Sequence, residues 1–232
     1  MPEDRVTGPG TVVDVDAVDP ASVAGAVALA AEALWAGRLV VVPTETVYGI
    51  ASRPDDAAAT ERLFTAKRRP PDLNLPVLAA VADEALALGQ ASDVARALAD
   101  ELWPGPLTVV MRRSERSRGW RLGGDRATIG VRVPDHPMTL ALLRETGPLA
   151  VTSANRSGEP PAVDRDALVA AFGSAVDVYV VSGAAPSGGR SSTVVDLTGP
   201  RARRLRPGPV DGRVLQILRR IAPDGEPIDF DE

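Results

Sequence analysis

Residues 39–71, LVVVPTETVYGIASRPDDAAATERLFTAKRRPP, constrain the fold more than any other stretch. The apolar run Leu39–Val42 has strand character and ends at Pro43, where a Thr-Glu-Thr loop begins. Tyr48 and Gly49 close that loop, and Asp55 or Asp56 caps a helix with Leu63 and Phe64 on one face. The helix runs out at Lys67-Arg68-Arg69 because Pro70 and Pro71 cannot continue it. One strand–loop–helix unit therefore carries small hydroxyls at a strand end and cations at a helix end. Crevices beyond strand ends are where open α/β sheets bind ligands. Cations beside hydroxyls suit a ligand with phosphates.

The rest of the chain repeats the alternation of strand and helix. Residues 1–19 read as an extended lead with β-type Val12, Val13 and Val15. Asp19-Pro20 opens a helix whose apolar stripe is Val23, Val27, Ala30 and Leu34, and Gly37 stops it. Strands are expected over Leu75–Ala80, Leu107–Met111, Thr128–Val133, Leu149–Thr152, Val176–Val181, Thr193–Leu197 and Arg203–Leu205. Further helices are expected from Ser92 to Leu102 and over Met138–Leu143, Asp166–Phe172 and Val214–Ile221. The class is α/β, with some antiparallel pairs expected and no internal repeat or clear linker. The Arg- and Gly-rich stretch 112–127 reads as a solvated loop or a mobile lid. Gly183–Arg190 is expected to be flexible, and the acidic tail 223–232 to be disordered.

Composition closes off several kinds of chemistry. There is no cysteine and only one histidine, which excludes thiolate metal sites and Cys nucleophiles and argues against a His-rich metal centre. Neither GxxxxGK[ST], GxGxxG nor GxSxG occurs. The net charge of −5 gives no global attraction to nucleic acid. The acidic start lacks the apolar core of a signal peptide, and no apolar run reaches the roughly 20 residues of a membrane span, so a cytoplasmic protein without a membrane contact is expected.

Polar clusters fall at expected strand or helix ends: Thr44/Thr46, Lys67/Arg69, Thr128/Arg132, Ser153/Asn155/Ser157, Ser192/Thr193 and Arg206-Pro-Gly. Each alone has a structural reading, as a turn hydroxyl or a cation answering a helix dipole. His136 in PDHP reads most simply as a turn residue. Arg132 inside the apolar VRV is the exception, since it can face water only if both valines face the core. Together, four cations and several hydroxyls are what a triphosphate needs. Without an obvious protein nucleophile, the reaction would rest on positioning and electrostatics.

The motifs PTETVYGI (43–50), KRR (67–69), LWPGPLTVV (102–110), TIGVRVPDHP (128–137), PLAVTSANRSG (148–158), SSTVVDL (191–197) and RLRPG (204–208) resemble the YrdC-like family in order and spacing. The resemblance spans roughly residues 20–210 and fits the short form of the threonylcarbamoyl-AMP synthases in that family. It implies a single α/β domain over 20–222, with a twisted mixed sheet, flanking helices and a large open cavity lined with positive charge. It also implies that L-threonine, bicarbonate and ATP give threonylcarbamoyl-AMP and pyrophosphate, with Mg²⁺ assisting the leaving group. The product would pass to a tRNA-modifying threonylcarbamoyl transferase complex, and a weak contact with RNA is a further expectation.

Carried onto this chain, the resemblance puts Thr44, Arg132 and Ser192 at the threonine, with Arg132 on its carboxylate. It puts Lys67, Arg69, Thr128, Ser153, Asn155 and Arg206 at ATP, with Lys67 and Arg69 as the catalytic pair. The metal ligands stay unassigned. Two departures stand out: Leu78 occupies a position where many members have His, and Pro161 replaces a frequent Ser. The competing readings are a related carbamoyl-adenylate enzyme with another acceptor, or a non-catalytic RNA- or nucleotide-binding module.

Overall fold

The apolar runs assemble into one ten-stranded mixed sheet, ordered β1-β8-β2-β3-β7-β4-β6-β5-β9-β10. The computed structural model describes residues 10–182 and 190–221. Its strands are β1 (Thr11–Asp14), β2 (Val40–Val42), β3 (Gly49–Ser52), β4 (Val77–Leu78), β5 (Leu107–Arg112), β6 (Thr128–Arg132), β7 (Leu149–Ser153), β8 (Val178–Val181), β9 (Thr193–Asp196) and β10 (Arg203–Arg206). Its α-helices are α1 (Pro20–Trp35), α2 (Ala57–Lys67), α3 (Ala82–Ala87), α4 (Asp93–Leu102), α5 (Pro137–Thr146), α6 (Arg165–Phe172) and α7 (Asp211–Ile221). The expected flexibility of 183–189 and disorder of the tail lie outside the described residues.

Several elements differ from the expectation. The lead is not free of the sheet: Thr11–Asp14 pair in parallel with Val178–Val181. The strand expected over 75–80 shortens to Val77–Leu78. Gly49–Ser52, which reads as the close of a loop, is a fully buried strand between β2 and β7. The central unit is therefore strand–loop–strand–helix. Asp56, rather than Asp55, caps α2 by accepting from the amides of Ala58 and Ala59. Arg68 follows with φ 50°, the left-handed turn that ends the helix.

Side-chain alternation divides the sheet into two faces. Val41, Ile50, Val77, Val109, Val131 and Val195 join one core with residues of α3, α4, α6 and α7. Val40, Val42, Ala51, Leu78, Leu149 and Val151 join a second core with α1 and α5. That second core takes no member from β5, β6, β9 or β10. Among the described residues, four of the ten strands thus have no apolar layer on that face. Because Ile129 and Val131 point into the first core, Thr128, Gly130 and Arg132 must point to this polar side. Thr108 of β5 projects there by the same alternation between Leu107 and Val109.

Residues 112–127 form a largely exposed loop, as expected, but one anchored at a few buried points. Arg113 is buried and donates to the carbonyls of Thr128 (2.9 Å), Ser117 (3.1 Å) and Trp120 (2.7 Å). The loop is pinned again at Gly124, where a Cβ would lie 2.5 Å from Asn74 Oδ1 and 2.6 Å from the Asp72 carbonyl. Among the described residues no helix is long and apolar enough to cross a membrane.

Candidate active site

The β2–β3 loop is folded around the hydroxyl of Thr44. Thr44 Oγ1 donates to the Val47 carbonyl (2.5 Å), accepts from the amides of Thr46 and Val47 (both 3.2 Å), and lies 2.9 Å from Thr46 Oγ1. These local bonds are the turn chemistry that Ser and Thr offer a strand end. The loop is tied to α5 because Thr139 Oγ1 donates to the Pro43 carbonyl. It is tied to β6 because Arg132 Nη2 donates to Thr46 Oγ1 (3.1 Å). Arg132 Nε also donates to the Gly105 carbonyl (3.0 Å), and Nη2 lies 2.6 Å from Glu45 Oε1. Val131 and Val133 do face the core, so Arg132 points away from it, but it is buried under the loop rather than open to water.

A second group gathers at β9 and β10. Ser192 Oγ lies 2.9 Å from Thr108 Oγ1 and accepts from Arg206 Nη2 (2.9 Å), while Arg206 Nε donates to the Ser192 carbonyl (2.9 Å). Gly208 makes this fit possible: a Cβ there would lie 2.2 Å from the Thr193 amide nitrogen. Burial, then the like charges of Arg132 and Arg69, lower the Arg206 pKa. Arg206 is exposed by surface area, so the repulsion is the firmer part of that shift. Three guanidinium groups from β6, β10 and the end of α2 therefore share one positive field, with Ser192 and Thr108 hydroxyls beside it.

The third group surrounds the end of α2. Lys67 is the only lysine in the chain and is 1% exposed. Its ammonium donates to the carbonyls of Ser153 and Asn155 (2.7 Å for the latter) and to Asn155 Oδ1 (3.1 Å). Burial, with Arg69, pulls its pKa down to about 7. Three oxygen acceptors favour the opposite, since only the ammonium has three N–H donors. Ser153 Oγ donates to Asn155 Oδ1 (2.5 Å), and Asn155 Nδ2 donates to the carbonyls of Arg156 (2.9 Å) and Glu159 (2.6 Å). The Ser157 amide returns to the Lys67 carbonyl (2.9 Å). Lys67 is thus buried inside the 153–157 loop.

Arg69 donates to the carbonyls of Leu73 (3.2 Å) and Asn74 (2.9 Å), and burial lowers its pKa. Thr128 Oγ1 accepts from Asn74 Nδ2 (3.2 Å), so Arg69 and Thr128 are joined through Asn74. A groove of about 890 Å³ runs beside α2, lined by Thr60, Phe64, Arg68, Arg69, Arg121 and Arg126 among others; of the residues above only Arg69 lines it. Among the described residues no group of three or more His, Cys, Asp or Glu could hold a metal ion. The described residues therefore offer no carboxylate cage for Mg²⁺.

Two residues of this site escaped the sequence reading. Glu45 lies inside the recognised loop but between Thr44 and Thr46, which drew the attention. His136, at the N-cap of α5, is 8% exposed and does not cap the helix with its side chain. A charged loop residue and a turn histidine are ordinarily solvated, so no pattern in the sequence flagged them.

An α/β domain with hydroxyl-bearing loops and three guanidinium groups around one polar sheet face belongs to a class of α/β protein suited to anionic ligands. A family profile described as telomere recombination and named for Sua5, YciO and YrdC matches residues 32–208, and the chain belongs to that family. A Mycobacterium tuberculosis relative is 42% identical over 88% of this chain and 94% of its own length. The threonylcarbamoyl-AMP synthase of Chromohalobacter salexigens is 40% identical over 77% of this chain and 96% of its own. Among solved structures, Pyrococcus abyssi Sua5 complexed with L-threonine superposes with a TM-score of 0.79 at 32% identity, over 89% of this chain and 60% of Sua5. The chain thus spans about three-fifths of the length of that structural relative.

Proposed function

We propose that this protein is a threonylcarbamoyl-AMP synthase, a nucleotidyltransferase that acts on L-threonine, bicarbonate and ATP. The observation that carries this reading is Arg132: a guanidinium on the polar side of the sheet, beside the Thr44–Thr46 loop and, with Arg69, within reach of Arg206. A planar fork of this kind holds a carboxylate through two oxygens. The relatives named for this reaction, and the L-threonine complex of Sua5, support threonine as its owner.

In this reading Arg132, Thr44 and Ser192 serve the amino acid. The threonine nitrogen adds to bicarbonate, giving a carbamate and water. A carbamate oxygen then attacks the α-phosphorus of ATP, and pyrophosphate leaves. Charge grows on the leaving group, and Arg69 and Arg206 are the cations available to meet it. Thr128, Ser153 and Asn155 bound the nucleotide. Lys67 acts by fixing the Ser153–Asn155 loop, as a positioning residue. Mg²⁺ would arrive with the triphosphate, in keeping with the lack of a carboxylate cage among the described residues. The product goes on to a tRNA-modifying transferase in the cytoplasm. The groove with Arg68, Arg121 and Arg126 is the surface that suits a weak RNA contact.

The test is pyrophosphate release with ATP, bicarbonate and each common amino acid in turn. Threonine is expected to give the highest rate. Release that is equal with all amino acids, or with none, would overturn the reading.

A further inference from the structure

Around Arg132 three buried polar atoms lack a hydrogen-bond partner: both carboxylate oxygens of Glu45 and Nδ1 of His136. Glu45 Oε1 lies 2.6 Å from Arg132 Nη2, a close ion pair whose geometry is not that of a hydrogen bond. The Glu45 side chain is 18% exposed, and His136 is more deeply buried. Buried acceptors without donors are costly, and native proteins keep them where a ligand or a reaction uses them. The two residues reach this place from different elements. Glu45 belongs to the β2–β3 loop, and His136 stands at the N-cap of α5. Three residues further on, Thr139 fastens that helix to Pro43 at the start of the loop. The charged neighbours that act on His136 are Glu45 and Asp135.

A fixed cation and a carboxylate thus form one buried pair, with an unpaired imidazole nitrogen close enough to feel the Glu45 charge. An α-amino acid carries a carboxylate and an ammonium on a single carbon, the complement of the Arg132–Glu45 pair. We propose that Glu45 receives the amino group of the substrate, and that His136 takes up the proton this group must lose. The proposal rests on the synthase reading above. In the free protein Arg132 and Glu45 neutralise each other; on binding, each exchanges its partner for one end of the zwitterion. An ammonium has no lone pair, so one proton must leave before nitrogen can attack the bicarbonate carbon. That proton passes from the ammonium to the Glu45 carboxylate and on to His136 Nδ1, which restores the carboxylate. The amine lone pair then forms the N–C bond, and hydroxide leaves the bicarbonate carbon, taking the second N–H proton to form water. The residue left is the N-carbamate.

The experiment measures binding of L-threonine and of its α-hydroxy analogue, 2,3-dihydroxybutanoate, to the parent protein, Glu45→Gln, Glu45→Asp and His136→Asn. Melting and ATP binding check that each variant is folded. The parent should prefer threonine over the analogue. Glu45→Gln should lose about 10- to 100-fold in threonine affinity, the scale of a hydrogen bond to a charged group, with the analogue held as before. Glu45→Asp should recover part of the preference. His136→Asn should bind threonine within about threefold of the parent but release pyrophosphate at least tenfold more slowly near neutral pH, with the loss shrinking at alkaline pH as threonine deprotonates by itself. If Glu45 only holds Arg132 in place, Glu45→Gln will weaken both ligands equally, and the proposal falls while the synthase reading stands. If the parent neither binds threonine nor releases pyrophosphate with it, both fall together.

Discussion

Lys67 Nζ donates to both the carbonyl (2.7 Å) and the side-chain oxygen (3.1 Å) of Asn155, so the end of α2 and the loop after β7 form one hydrogen-bonded unit. The sequence places Lys67 as a helix-end cation, worth roughly 0.3–1 kcal/mol of stability, with its main service to the triphosphate. The geometry implies a larger structural share. Lys67→Ala leaves buried acceptors without donors, at a cost of about 2–4 kcal/mol. For a chain of this size that is a fall in Tm of roughly 5–10 °C. Thermal melting of the parent and the variant checks it. A fall below about 2 °C would show that the ammonium does not hold this loop.

Arg206 should behave oppositely. It shares a field with Arg132 and Arg69 and is exposed by area, so its removal relieves repulsion while giving up the bonds to Ser192. Arg206→Ala is expected to melt within about 2 °C of the parent yet to bind ATP roughly tenfold or more weakly. Calorimetric titration with ATP beside a melting curve separates the two effects. Unchanged ATP affinity would remove Arg206 from the nucleotide site.

His136 makes stability depend on pH. Burial holds its pKa below the ordinary value, against Glu45 and Asp135, which raise it. The unfolded chain therefore binds the proton more readily than the folded one. The sign follows: this stability is present above the ordinary histidine pKa of about 6.5 and is lost as pH falls through the folded value. The Tm difference between pH 7.5 and pH 5 should be larger for the parent than for His136→Asn. Equal differences would mean that His136 already protonates freely in the folded state.

Much of this architecture was legible because its signals are local. Asp19-Pro20, Ser92 and the Thr128–Val133 run each announce an element by their own chemistry, and each forms close to where it was read. Gly49–Ser52 was not legible: GIAS is short and buried on both faces, so it shows no alternation to set it apart from a loop. The anchoring of the 112–127 loop was hidden for another reason. Its order rests on Arg113, and nothing local distinguishes this arginine from its solvated neighbours. The site was readable as a set of loops but not as contacts. Arg132 stands out in the sequence as a charge among valines, whereas its pairing with Glu45 and Thr46 depends on a loop 86 residues away.

The most direct test of the synthase account follows the carbon of labelled bicarbonate. Incubated with the protein, ATP and L-threonine, that carbon should enter a nucleotide product of threonine and AMP, with one pyrophosphate released for each label incorporated, and omission of threonine should abolish both signals. Pyrophosphate release that proceeds equally without bicarbonate, giving an adenylate with no label, would contradict it.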